Sequence, residues 1–226
     1  SSHNQCQQVI LTQGFPSSDE SVGSVAVGFQ GPVLDDLKTL VALNVVFRAL
    51  CETSASPLYQ AFVECNPPIA NSIDYDVKFY LKTSIVLIFS GIENGADSAD
   101  EDMSGDELEV DGDEEEHINK LSSEYICGLL IETLENLCES QSEFGRLIDK
   151  ALVRHKEKFL ESLEEDVSDV IYASYLWDVM LGRHQKAKAG PIALGKSLNL
   201  LPIFKELEGE PPSYWLALLK EYCLVS

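Results

Sequence analysis

A chain of 226 residues with 45% apolar content can bury one sizeable core, or form one large domain with a long insertion. Thirty-eight acidic side chains against sixteen basic ones leave a formal net charge of -22. Such a surface repels phosphate backbones, which argues against nucleic acid as a partner, and it speeds encounter with basic partners.

The N-terminal stretch "SSHNQCQQVILTQGF" has no basic segment followed by an apolar one, so it does not read as a secretory signal. No apolar run reaches the roughly 20 residues needed to span a membrane, and no membrane association is expected. The cysteines Cys6, Cys51, Cys65, Cys127, Cys138 and Cys223 form no C-x-x-C pair and sit mostly in apolar segments. They read as reduced thiols of a cytoplasmic protein, with the mitochondrial matrix as the alternative compartment. The chain starts without Met just before a strand-like run, which reads as the mark of an excised domain.

"QVILTQGF" and "SVGSVAVGFQG" predict two short strands joined by turn chemistry at Pro16-Ser17-Ser18-Asp19. Leu34 to Cys51 predicts a helix. Leu37, Leu40, Val41, Asn44, Val45 and Ala49 recur at three- and four-residue steps, with Asp35 and Asp36 in the first turn. A break at Glu52-Thr53-Ser54-Ala55 is followed at once by Ser56 as a helix cap and Pro57 at the first helical position. That second helix runs to about Cys65 and is stopped by Asn66-Pro67-Pro68.

"IDYDVKFYL" alternates Ile73, Tyr75, Val77 and Phe79 against Asp74, Asp76 and Lys78, a strand with one wet face. "SIVLIFSGI" is apolar on both faces and reads as an interior strand. From Glu93 to Glu116 the sequence carries many carboxylates and no Lys or Arg; residues 93–117 are expected to be a disordered acidic insertion. From Ile118 onward the chain reads as helical. One helix carries Ile126, Leu130 and Leu134, and a second Phe144, Ile148, Leu152 and Phe159. A third spans Val167 to about Leu181, Ala189 to Leu200 is a shorter one, and Tyr214 to Tyr222 is the last. Strands first and helices second predict a single α+β domain over 1–226, a mostly antiparallel sheet with helices packed on one face.

No catalytic, metal-binding or cofactor-binding residue emerges. His3, His117, His155 and His184 are scattered, and His155 in "VRHKEKF" reads as a surface histidine. Asp100, Asp102, Ser104, Gly105 and Asp111 match part of a calcium loop, but Glu107 stands where an apolar residue belongs, and the pattern follows from composition. There is no Gly-x-Ser-x-Gly, Walker loop or Gly-x-Gly-x-x-Gly. Ser98 and Ser104, each with an acidic residue three positions on, suit an acid-directed kinase and equally an unmodified solvated serine. Trp177 and Trp215 read as core or interface anchors.

The order of these pieces is similar to a non-catalytic domain of the pitrilysin (insulinase-like) zinc metallopeptidases, the presequence-protease branch above all. The resemblance is carried by "GFPSSDESVGSVAVGFQGP", "SASPLYQAFVE", "SIVLIFSGI" and the helical stretch beginning "IETLENLCES". It covers most of the chain and not the acidic tract. It implies the second domain of a four-domain enzyme with a peptide chamber. Zinc would then be held in the first domain by an inverted His-x-x-Glu-His motif that this chain lacks. The partners so implied are the other domains of the same polypeptide, the catalytic one especially, and peptide substrates, possibly basic. The competing expectation is an acidic interaction or chaperone-like module for basic proteins, with Glu93 to Glu116 as its working part.

Overall fold

The computed structural model describes residues 22–33, 36–78, 82–93, 123–172 and 199–224. Three strands come first: β1 (Val22–Val33), β2 (Ser72–Lys78) and β3 (Lys82–Glu93). They pair antiparallel in the order β1-β3-β2, with the most apolar strand in the centre. The register places Val25, Val27 and Phe29 beside Phe89, Leu87 and Ile85, and these beside Ile73, Tyr75 and Val77. One continuous apolar face results, because side chains two apart share a face. The register shifts between Gly23 and Ser24, where Gly91 is the extra residue on β3. Gly91 has φ +72°, and Asn71 occupies the space a Cβ would need, so only glycine fits this bulge.

Helices cover that face. The first, α1 (Leu37–Cys51), is buried almost all round, from Leu40 to Cys51 with Asn44 half-buried. It lies between the sheet and α4, and so has no wet stripe. Phe47 is central: its ring is 6.2 Å from Phe29 and 6.0 Å from Tyr75. Next, α2 (Pro57–Phe62) sets Phe62 4.7 Å from Phe89. Full burial of each such ring contributes about 2 kcal/mol. Two long helices follow, α3 (Ser123–Glu139) and α4 (Gln141–Glu165), then α5 (Leu201–Leu207) and α6 (Pro212–Leu219), which runs into a wide turn at Lys220–Leu224. The α+β plan expected from the sequence is present, with helices on one sheet face.

Several local expectations change. Asp36 does not lie inside the first turn of α1; it caps the helix, accepting the Thr39 N–H at 3.1 Å and the Thr39 hydroxyl at 2.7 Å. Ser56 precedes α2 but makes no cap bond. Its hydroxyl turns back to the preceding turn, accepting the Thr53 N–H at 3.1 Å and lying 3.1 Å from the Thr53 hydroxyl. Pro57 does open the helix, which ends at Phe62 rather than near Cys65. Glu93, expected to open the acidic insertion, is instead the last residue of β3, opposite Val22. Helix α5 is not among the helices expected from the sequence; at seven residues it is shorter than two turns, too short for its periodicity to stand out. The expected strand at 8–15, the turn at Pro16, residues 94–117 with Ser98 and Ser104, and the helices at 173–181 and 189–198 lie outside the described residues, as do His3, His117, His184, Cys6 and Trp177.

Candidate functional site

Among the described residues three places combine polar groups with open or enclosed space. The first lies under α1. Arg48, only 8% exposed, is the most buried charge in the core. Its guanidinium is held by Glu52 one turn on, and the other Glu52 oxygen accepts from Arg154 Nε of α4 at 2.8 Å. A single carboxylate therefore bridges two guanidinium groups and joins α1 to α4. A buried cation needs such a partner to persist. His155 sits beside this bridge, not on an open face as its charged neighbours in sequence imply. Its ring meets Phe204 edge-on at 5.6 Å, and its buried Nδ1 has no hydrogen-bond partner. Burial, and then the positive charge of Arg48, push its pKa down to about 4. It is therefore neutral at physiological pH. Arg48 Nε is likewise buried without a partner. The arrangement is a structural clasp: one carboxylate is shared by two guanidinium groups, and no nucleophile is paired with a base there.

The second place is a groove of about 220 Å³ lined by Ser142, Gly145, Arg146, Asp149, Glu210, Pro212 and Trp215. Trp215 in that lining is 3% exposed, the core anchor expected of it. A Cβ on Gly145 would stand 3.3 Å from Pro212, so α4 and the start of α6 are in close contact there. Lys38 of α1 ties the same corner together, with Glu210 at 2.7 Å, Glu206 at 3.6 Å and the Tyr214 ring at 5.5 Å.

The third is the outer face of the sheet. Cross-strand rows run Asp74–Ile88–Ala26 and Asp76–Val86–Gly28, between a serine row Ser72–Ser90–Ser24 at one end and the row Lys78–Ser84–Gln30 at the other. Val86 and Ile88 are half-buried, Ala26, Gly28 and Asp74 are exposed, and no described helix packs on them. An apolar centre with carboxylates along one edge and small residues along the other is a shallow trough suited to an extended chain.

Among the described residues no three His, Cys, Asp or Glu side chains come together as a metal-holding group. Cys51, Cys65, Cys127, Cys138 and Cys223 are free thiols, and burial pushes Cys223 up to about 12, far from the reactive thiolate. No described helix is long and apolar enough to cross a membrane. The sequence carried a signal for the outer face, the Asp74/Asp76 alternation. It carried none for the closing contact of the Arg48–Glu52–Arg154 clasp, because Glu52 and Arg154 are 102 residues apart.

No family model matches the chain. An uncharacterized protein of Caenorhabditis elegans is 23% identical over 207 residues, covering 92% of this chain and 18% of that protein. An uncharacterized protein of Schizosaccharomyces pombe is 26% identical over 216 residues, covering 96% of this chain and 18% of that protein. The chain thus spans less than a fifth of the length of these curated relatives. Among solved structures, the crystal structure of a protease from Helicobacter pylori is similar with a TM-score of 0.58 and 16% sequence identity, over 89% of this chain and 38% of that one. At that identity the likeness is one of fold: this α+β domain has a protease-like structural neighbour.

Proposed function

We propose that this chain is a non-catalytic domain of a larger, peptide-degrading zinc metalloendopeptidase of the pitrilysin type, and that it contributes a wall and an interdomain surface rather than chemistry. The observation that carries this reading is the protease-like fold over 89% of the chain. The short share of each curated relative that it covers supports a domain within a longer polypeptide. Zinc would sit in a separate catalytic domain, the principal partner of this one. The outer sheet face would meet the peptide, with the exposed Asp74 favouring basic side chains. The compartment we assign is the cytoplasm, with the mitochondrial matrix as the alternative.

The test is to prepare the longest natural polypeptide that contains this chain, beside the 226-residue chain alone. Metal content and cleavage of a mixed peptide library are measured, with and without a zinc chelator. Chelator-sensitive cleavage and one zinc are expected in the longer polypeptide and neither in the short chain. Tightly held zinc in the short chain, or a metal-replete longer polypeptide that cuts nothing, overturns the proposal.

One further reading is favoured by a separate observation, the run of carboxylates between Glu93 and Glu116 without any Lys or Arg. Under it the chain is an acidic module that captures basic proteins. Replacing the run with a Gly/Ser linker would abolish such capture, and would leave a wall-forming domain's contacts intact.

A further inference from the structure

We propose that the projecting half of α4 is a docking surface for a basic amphipathic helix. The last buried residue of α4 is Leu152; none from Val153 to Glu165 is buried. At 1.5 Å per residue that half carries the helix roughly 20 Å past its buried part. One side of it is occupied: His155 and Phe159 pack on Phe204, at 5.6 Å and 5.8 Å, and Lys156 pairs with Glu208 at 2.7 Å. Among the described residues the side chains of the opposite side are exposed. At 3.6 residues per turn Val153, Glu157, Leu160 and Glu164 fall within roughly 60° of one another, away from His155 and Phe159. Val153 is 57% exposed and Leu160 39%.

The concentration is specific to this place. Of the nine large apolar side chains exposed among the described residues, five lie between 153 and 172, the others being Val167, Ile171 and Tyr172 beyond the bend at Asp166. Large apolar groups gathered on one projecting element mark an interaction surface. Charge then selects the partner. Glu157, Glu161, Glu164, Glu165, Asp166 and Asp169 are all exposed, against Lys158 alone, since Arg154 and Lys156 are engaged by Glu52 and Glu208. Apolar residues seven apart, with carboxylates one turn on from each, fit a helix carrying aliphatic residues on one stripe and Lys or Arg beside them. This inference is independent of the peptidase reading: it rests on α4 and needs neither zinc nor cleavage.

The experiment uses the 226-residue chain and a fluorescent 18-residue Leu/Lys peptide of amphipathic helical pattern. Its controls are a scrambled isomer and a Leu/Glu version. The expected result is binding by the amphipathic Leu/Lys peptide, at least tenfold weaker binding of the scrambled isomer, and none of the Leu/Glu version. Leu160→Asp, and separately Glu161→Lys with Glu164→Lys, should each weaken binding at least tenfold with unchanged melting. Replacing residues 94–116 by a Gly/Ser linker should leave at least half of the affinity. Binding untouched by the α4 variants, or lost with the 94–116 run, overturns the proposal, because the peptide then follows bulk charge. A self-associating chain made monomeric by Leu160→Asp overturns it in favour of a second copy. Loss of several degrees of melting temperature in Leu160→Asp overturns it too, because the stripe is then covered within the chain.

Discussion

The two faces of the sheet are made by the same three strands and differ in almost every respect. The inner face, with Ile85, Leu87 and Phe89 at its centre, is sealed by α1 and α2 and carries the aromatic chain from Phe29 through Phe47 to Tyr75. The outer face offers Val86 and Ile88, half-buried, between small residues and aspartates. Residues of nearly the same chemistry, one position apart, have thus been assigned to folding on one side and left available on the other. Stability and function of this domain should therefore separate by face.

The largest effect that can break this comparison is at neighbouring positions of β3. Leu87→Ala leaves a cavity in a fully buried site and should cost about 3 kcal/mol, while Ile88→Ala should cost less than about 1 kcal/mol. In a domain of this size the first change lowers Tm by roughly 6 to 12 °C and the second by a few degrees at most. Equal losses in thermal melts would mean that the outer face is also packed.

Next comes pH, acting through His155. His155 has a pKa of about 4 in the fold and an ordinary value near 6.5 when unfolded. The unfolded chain binds the proton more readily. The contribution is therefore fully present above pH 6.5 and is lost as pH falls toward 4, by up to about 3 kcal/mol. His155→Phe should remove this part of the acid sensitivity, so the gap in Tm between pH 7 and pH 4.5 should narrow relative to the parent chain. An unchanged gap would place the histidine in water.

A smaller effect sharpens the reading of the corner between α1 and α2. Ser56→Ala should cost about 1 kcal/mol because the half-buried Thr53 N–H loses its acceptor. Ser56→Asp separates the two accounts. Asp is a good helix cap, yet here it would bury a charge at a site 1% exposed and should melt lower still. If Ser56→Asp melts like the parent chain, the hydroxyl is a cap after all.

Much of this plan was legible in the sequence, for physical reasons. Period-two alternation in "IDYDVKFYL" assigned Asp74 and Asp76 to the wet face because a strand has no other choice. The buried run of β3 marked its central place. Periodicity also found α3 and α4, whose apolar stripes are long. What it missed lay in side chains whose partners are remote or whose sequence neighbours mislead. His155 stands among Arg154, Lys156 and Lys158, so it looks exposed; its helix turns it inward onto Phe204, far along the chain. Arg48 is one basic residue in an apolar helix, and the carboxylate that pairs with it, Glu52, is shared with Arg154 of another element. The outer trough was half visible: alternation showed its aspartates, but only the register shows that Ile88 and Val86 lie beside them.

The account stands or falls on whether the open face meets peptide. A photocrosslinking amino acid in place of Ile88, in the longest natural polypeptide containing this chain, would be irradiated with a labelled basic peptide. The same probe in place of Glu132, exposed on α3, serves as the reference. Labelling from position 88, suppressed by excess unlabelled peptide and weak from position 132, is the predicted result. Equal labelling from both positions, or none from position 88, would contradict it.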